Sequence, residues 1–331
     1  MDIYSCALLK VSCVFIGLEI NVSQFESVGN GITRIDAQYV KPGVACFYLL
    51  ESGDEYAVIE TGTRHSFALL QELLSQREIS AEQIRYVIPT HVHLDHAGGA
   101  GVMMEAFPEA TLLVHPRGAR HMIDPGKLEA AARGIYGDSA FDQMYGTLLP
   151  VDESRVREMN DGETASLAGR SLLFRHTRGH AKHHFCVWDD TSRGWFTGDM
   201  FGVSYPWFRF AKGDFLLPST TPSQFEPQQY LLSLELLAEA DPVQMYLTHF
   251  GAVEWSRKRS DLLATQVRAY AELARQTPDE ELEQALEACS LAHLRHYAPD
   301  EDEATLRDML SLDMPLNAMG LRVWRDSAQA S

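Results

Sequence analysis

The chain has 331 residues, 45% of them hydrophobic, and a net charge of −18 from 28 basic and 46 acidic side chains. That length can bury a sizeable core in one large domain or two modest ones. So acidic a surface argues against sequence-independent nucleic-acid binding, which needs basic patches to neutralise phosphates. Cys6, Cys13, Cys46, Cys186 and Cys289 are scattered, odd in number and without C-x-x-C spacing. They read as reduced thiols of a cytoplasmic protein rather than a disulfide framework.

In chain order, Leu8 to Ile20 is apolar but interrupted by Lys10 and Glu19, follows Asp2 rather than a basic cluster, and leads to no A-x-A pattern. It is expected to be neither a secretory signal nor a membrane span, so no membrane association is expected. Residues 1–24 read as an N-terminal extension, either an added strand or a tail.

Strand-like runs follow from Phe25 at 31–36, 45–50 and 56–60, the last two joined by the turn signal Ser52-Gly53-Asp54. Phe67, Leu70, Leu73 and Leu74 then repeat at helical spacing. The next strand, 84–88, is broken by Pro89 and delivers the chain to His91-Val-His-Leu-Asp-His-Ala-Gly-Gly99. Three imidazoles and a carboxylate therefore sit on a loop at a strand end, where a rigid scaffold can hold them. His and Asp are the side chains a borderline divalent cation prefers, and an H-x-H pair can grip one ion from a short loop. This is a metal site.

Beyond it, 111–114 reads as a strand ending at His115-Pro116. Residues 124–150 combine Gly126, Gly134, Gly137 and Gly146 with Tyr136, Phe141 and Tyr145, so any helices there are short. The segment is either a substrate lid or pocket wall, or a surface insertion that packs its own aromatics. Strands return at 155–159, 171–176, 185–188 and 195–197, followed by a helix over 228–240 and a strand over 243–247. Two runs of strands, each followed by helices, predict two packed sheets with helices outside. Residues 256–331 lack a strand pattern and carry helical stretches at 261–276, from Thr277-Pro278 onward and over 303–312, with a further turn after Pro315 through Trp324. Thr277 as N-cap, Pro278 at the first helical position and the acids after it suit a helix start.

Three more metal-competent residues follow apolar runs and sit beside glycines: His180 after Gly179, Asp199 after Gly198, and His249 in Leu247-Thr-His-Phe-Gly251. Together with H91-V-H93-L-D95-H96, this ordered set resembles the metallo-β-lactamase fold superfamily over residues 25–255. The resemblance implies an α/β (α+β) fold, an αββα four-layer sandwich with metals at one edge of the paired sheets. It makes 25–255 the catalytic domain and 256–331 a helical C-terminal region. Matched position by position, it implies that His91, His93 and His180 bind one metal. Asp95, His96 and His249 would bind a second, and Asp199 would bridge both. Glu60-Thr-Gly62 matches the family's early acid-Thr-Gly turn, usually Asp-Thr-Gly. His184 falls where related hydrolases place a second histidine and is expected to orient the site rather than ligate. His183 stands where relatives commonly have glycine.

Two divalent ions about 3.5–4 Å apart can share a hydroxide, because metal binding lowers the pKa of water from 15.7 to about 7. A metal-bridging hydroxide is then the nucleophile. Asp199 would neutralise and space the ions, and Asp95 would orient the nucleophile or shuttle a proton, making these two the expected catalytic residues. Five histidines and two aspartates suit two zinc ions, although iron and manganese accept similar sets. The expected reaction is hydrolysis of a small ester, thioester or lactone. The alternatives are a phosphodiesterase and a metal-binding sensor or effector module with little turnover. A small-molecule substrate is the expected partner, and a homodimer is compatible with the chain. Phe201, Tyr205, Trp207, Phe208, Phe210 and Phe215 after Asp199 read as an apolar pocket or as local core. Gly202 stands where lactonase relatives commonly carry tyrosine, which weighs against a lactone.

Overall fold

The computed structural model describes residues 22–220 and 224–329; the extension read over 1–24 lies, up to residue 21, outside the described residues. Strands β1 (Phe25–Gly29), β2 (Ile32–Asp36), β3 (Cys46–Ser52), β4 (Glu55–Ile59), β5 (Ile84–Ile88), β6 (Thr111–Val114) and β7 (Val156–Glu158) form a seven-stranded sheet in that order. It is antiparallel from β1 to β4 and parallel from β4 to β7. The second sheet is built from β8 (Thr164–Leu167), β9 (Arg170–His176), β10 (Phe185–Asp189) and β11 (Gly194–Gly198). A short ribbon, β12 (Arg209–Phe210) with β13 (Gly213–Asp214), intervenes before β14 (Gln244–Leu247) and β15 (Gly251–Glu254) complete that sheet in the order β15-β14-β11-β10-β9-β8.

The two-residue side-chain period makes the layers. On β3, Cys46, Tyr48 and Leu50 face the second sheet while Phe47 and Leu49 face outward, and all five are buried. A strand buried on both faces needs cover on both sides. Outside the first sheet that cover is α1 (Phe67–Gln76), the single turn α2 (Leu94–Ala97), α3 (Ala100–Ala106) and α4 (Pro116–Ile123), which contribute Leu70, Leu73, Met103 and Met122 to the outer cluster. Between the sheets, Tyr48 meets Phe196 edge to face with centroids 5.2 Å apart. The predicted αββα arrangement is the one observed.

Residues 124–150 fold as α5 (Gly126–Tyr136) and α6 (Asp138–Met144). Helix α7 (Pro227–Glu239) covers the second sheet, where its Leu237 carbonyl accepts from the Trp195 indole at 3.0 Å. The C-terminal helices are α8 (Arg257–Gln276), α9 (Asp279–Tyr297), α10 (Glu303–Leu310) and α11 (Met314–Gln329). They share one hydrophobic cluster with the sandwich: Leu263, Tyr270, Leu286, Leu306 and Leu321 join Phe201, Phe208 and Phe215 in it. Burying a side chain of this size is worth about 1.5–3 kcal/mol, so the helical region is held by the same core that holds the sheets.

Several boundaries differ from expectation. Pro278 is the N-cap of α9 rather than its first residue, which still leaves Asp279, Glu280 and Glu281 in the first turn. Helix α11 runs 16 residues with Pro315 inside its first turn, where a missing N–H does no harm. Helices α3 and α4 and strands β8 and β15 carry no clear periodic signal, because each is only about two turns or four residues long.

Candidate metal centre

The parallel pairs β4·β5 and β11·β14 end together at one edge of the sandwich. Glu60 follows β4, the histidine loop follows β5, Asp199 follows β11, and Thr248-His249 follows β14. The turn between the antiparallel strands β9 and β10 adds His180 at the same edge. Two glycines make the approach possible. A side chain on Gly198 (φ +50°) would lie 2.5 Å from both Thr90 Oγ1 and His184 Nε2, and one on Gly179 would collide with the Tyr230 backbone.

All seven residues named from the sequence as metal-competent come together there. In one group, His93 Nδ1 lies 2.8 Å from His91 Nε2 and 3.1 Å from His180 Nε2. In the other, Asp95 Oδ2 lies 3.3 Å from His249 Nε2 and 3.6 Å from His96 Nε2. Asp199 faces both: Oδ2 is 3.4 Å from His180 Nε2, while Oδ1 is 3.2 Å from His96 Nε2 and 3.5 Å from His249 Nε2. Ligands on a tetrahedral zinc with bonds of about 2.0–2.1 Å stand roughly 3.3 Å apart, so these spacings fit.

The hydrogen bonds show which nitrogens are offered. The Val44 carbonyl can only accept, so His249 Nδ1 donates to it at 2.8 Å and Nε2 is the nitrogen turned to the carboxylates. His96 Nδ1 likewise donates to Glu60 Oε1 at 2.9 Å. Thr90 Oγ1 gives its proton to Glu60 Oε1 at 2.6 Å, so it accepts from His91 Nδ1 at 3.0 Å. Each of these three imidazoles thus presents Nε2 inward, as ligating histidines tied down through the other nitrogen do. His96 Nε2 and Asp199 Oδ1 are buried without a hydrogen-bond partner among the described residues. An unpaired buried polar atom costs about 1–3 kcal/mol, and a divalent cation at this position would satisfy both atoms at once. The residues present therefore fit the metal.

Electrostatics separates the two groups. Burial drives His91, His93 and His180 below the usual imidazole range, and the neighbouring imidazoles push His91 and His93 further down. Burial alone would do the same to His249, but Asp199 and Asp95 outweigh it and lift it to about 9. His96 moves the same way against burial, raised by Asp95, Asp199 and Glu60. Asp95 is held below the usual carboxylate range, because His96 and His249 overcome its burial.

Glu60 is the residue whose role the sequence did not show. It could join His91 and His96 as a third ligand group, but its two oxygens already accept four hydrogen bonds. Oε1 accepts from Thr90 Oγ1, His96 Nδ1 and, at 3.0 Å, Thr248 Oγ1, and Oε2 accepts from the Thr90 amide at 2.9 Å. A carboxylate has about four such positions, so Glu60 organises the site rather than ligating. Its backbone sits at φ +63°, a left-handed conformation that non-glycine residues rarely adopt. The one local signal was the acid-Thr-Gly turn. His184 also holds others in place: it bonds Thr177 Oγ1 at 2.8 Å and accepts from the Asp199 amide at 3.4 Å. His183 accepts from the Val92 amide, and His115 stacks on His176 with centroids 4.0 Å apart.

The two aromatic segments pack in different clusters. Phe201, Tyr205, Trp207, Phe208 and Phe215 are buried in the main cluster, so they are core. Residues 124–150 instead pack Phe141, Tyr145 and Leu148 on Leu94 of the histidine loop. The Tyr145 hydroxyl lies 2.8 Å from that of Tyr39. Burial raises both phenols, and the nearby Asp95 charge raises them further.

Residues 41–249 match the family model of the Metallo-beta-lactamase superfamily, and the chain belongs to that superfamily. Among curated proteins it is 27% identical over 228 residues to the metallo-beta-lactamase fold-containing protein ST1585 of Sulfurisphaera tokodaii, covering 67% of this chain and 79% of that one. It is 26% identical over 197 residues to the human acyl-coenzyme A thioesterase MBLAC2, covering 53% of this chain and 65%, just under two thirds, of the relative. The fold is shared with the crystal structure of the Sulfolobus tokodaii protein at a TM-score of 0.62 and 23% identity over 89% of this chain and 99% of that one. A metallo-beta-lactamase family protein of Thermus thermophilus also superposes at 0.62, with 21% identity over 91% and 95% of the two chains. Membership and the thioesterase-named relatives support a hydrolase. Among the described residues no helix is long and apolar enough to cross a membrane, and Cys46, Cys186 and Cys289 are free thiols.

Proposed function

We propose that this chain is a dinuclear metal-dependent hydrolase of small acyl thioesters, with esters and lactones as related substrates, working in the reducing cytoplasm. The observation that carries the reading is the Asp199 carboxylate, which turns one oxygen to each of two ligand groups. His91, His93 and His180 would hold one ion, Asp95, His96 and His249 the other, and Asp199 both. When bound, two such ions, zinc by preference of the ligand set, supply an acidified water as nucleophile and a Lewis acid for the substrate carbonyl.

The remaining work falls to side chains. Asp95, at 20% exposure, is the more open of the two carboxylates, so substrate approaches on its side. Its oxygens can hold the attacking water by a hydrogen bond and pass the proton outward. Tyr39 and Tyr145 offer hydroxyls there to a polar group of the substrate. A thioester is favoured because a thiol has a pKa of about 8.5 and its thiolate departs with less acid assistance than an alkoxide. The thioesterase activity named for the human relative points the same way. The test is a hydrolysis panel of thioesters, aryl esters, lactones, phosphodiesters and a cephalosporin, on protein whose metal content is measured in the same batch. Turnover led by thioesters is the expected result; metal-replete protein inert toward the whole panel overturns the reading.

A further inference from the structure

The loop after Asp199 is tied down from the far end of the chain. Ser219 Oγ donates to Asp199 Oδ2 at 3.3 Å, which sets the rotation of the carboxylate that must serve both halves. The residues on either side of Ser219 are held by Asn317 of α11. Its Nδ2 donates to the Pro218 carbonyl at 3.0 Å, and its Oδ1 accepts from the Thr220 amide at 2.8 Å and the Thr220 hydroxyl at 2.9 Å. Both ends of the amide are used, so its orientation is determined by its partners. Asn317 is only 3% exposed, and Met314, Ala318 and Leu321 around it are buried, so the lever is rigid.

One helical turn earlier, Asp313 accepts from the Tyr205 hydroxyl at 3.0 Å. The Asn317 backbone amide in turn donates to the Asp313 carbonyl at 2.8 Å. The Tyr205 ring stands edge-on to His249 with centroids 6.5 Å apart and stacks on Trp207 at 4.5 Å. Asp313 is 8% exposed, and its Oδ2 has no hydrogen-bond partner among the described residues. Both acting side chains lie outside residues 41–249, the span of the family match.

We propose that Asn317 and Asp313 are positioning residues of the metal centre, Asn317 acting through Ser219 on Asp199 and Asp313 acting through Tyr205 on His249. The C-terminal helices are then part of the centre, because ligands must be held to about half an ångström for a metal to bind well. The proposal rests on the two-ion reading above.

The test titrates metal-free wild type, Ser219→Ala, Asn317→Ala and the double variant with zinc against a chromogenic chelator, and records the melting temperature of each metal-free form. Each single change is expected to weaken the ion held by His91, His93 and His180, the group that Asp199 Oδ2 faces, by about 10- to 100-fold, the effect typical of partners that orient ligands. The ion held by Asp95, His96 and His249, which Oδ1 faces, should keep its affinity more nearly. The double variant should bind no worse than the weaker single one, since both act through one contact. Asp313→Ala should weaken the ion held by Asp95, His96 and His249, while Asp313→Asn, still able to accept from Tyr205, should retain it. Wild-type constants in Asn317→Ala together with a lowered melting temperature would show a purely structural role and overturn the proposal. Multiplying losses in the double variant would do the same. If Asn317→Ala does not fold, Asn317→Ser takes its place. A wild type that binds a single ion defeats the two-ion reading instead, and the positioning claim is then decided on that one constant, because Asp199 faces both groups.

Discussion

The two ligand groups are built from the same edge of the same sandwich, yet they differ in charge. His91, His93 and His180 are lowered by burial and stand as neutral imidazoles, ready to ligate. His96 and His249 face Asp95 and Asp199, whose charges raise both imidazoles above their usual range. In the first group a cation meets imidazoles that favour the neutral form; in the second it competes with protons that the carboxylates favour. Asp199 places one oxygen on each side. The difference makes the second group the half whose occupancy responds to pH.

The contrast can be broken most severely at the shared residue. Asp199→Ala should lower kcat/KM by about 10³-fold or more, the several kcal/mol that metal-ion catalysis supplies at about 1.4 kcal/mol per decade. Steady-state kinetics beside metal analysis reads this out, and unchanged turnover contradicts the account. Glu60→Gln sharpens it one step down. Removing the charge behind His96 Nδ1 should weaken the second ion by about 10- to 100-fold while the three-histidine ion is little changed. Chelator competition separates the two constants.

Acid should act on the same half. His249 has its pKa raised to about 9, so below that pH its proton must leave before Nε2 can bind. Affinity for the second ion should therefore fall by about tenfold per pH unit for each proton displaced, as pH drops through and below that range. The first group, already neutral, should show no such slope near pH 7. Calorimetric titrations in buffers of different ionisation heat measure the protons released, and equal release from both halves would erase the distinction. Smallest of all, Tyr145→Phe removes the hydroxyl paired with Tyr39 and should cost about 1 kcal/mol of stability, with KM affected more than kcat. Urea unfolding and kinetics on the leading thioester decide that.

Much of the centre was legible in the sequence because its ligands are chemically unusual residues beside glycines at the ends of apolar runs. H91-V-H93-L-D95-H96, Gly179-His180, Gly198-Asp199 and Thr248-His249 each announce themselves locally, and the fold brings all of them together. Glu60 was not legible as an organiser, since its partners Thr90, His96 and Thr248 lie 30, 36 and 188 residues away. Asn317 and Asp313 sit in an ordinary helical stretch, and only the packing of α11 shows what they hold. The aromatic run after Asp199 and the 124–150 segment had similar compositions but opposite fates. Composition reports that aromatics will be buried, and it does not report against what.

The central claim is that one carboxylate joins two ligand groups into a two-ion centre. Its most direct test is metal content by inductively coupled plasma mass spectrometry on zinc-loaded, desalted protein, for wild type and for His93→Ala and His249→Ala. Two ions per chain are expected in the wild type and one in each variant. One ion per chain in the wild type, or the same content in all three proteins, would contradict it.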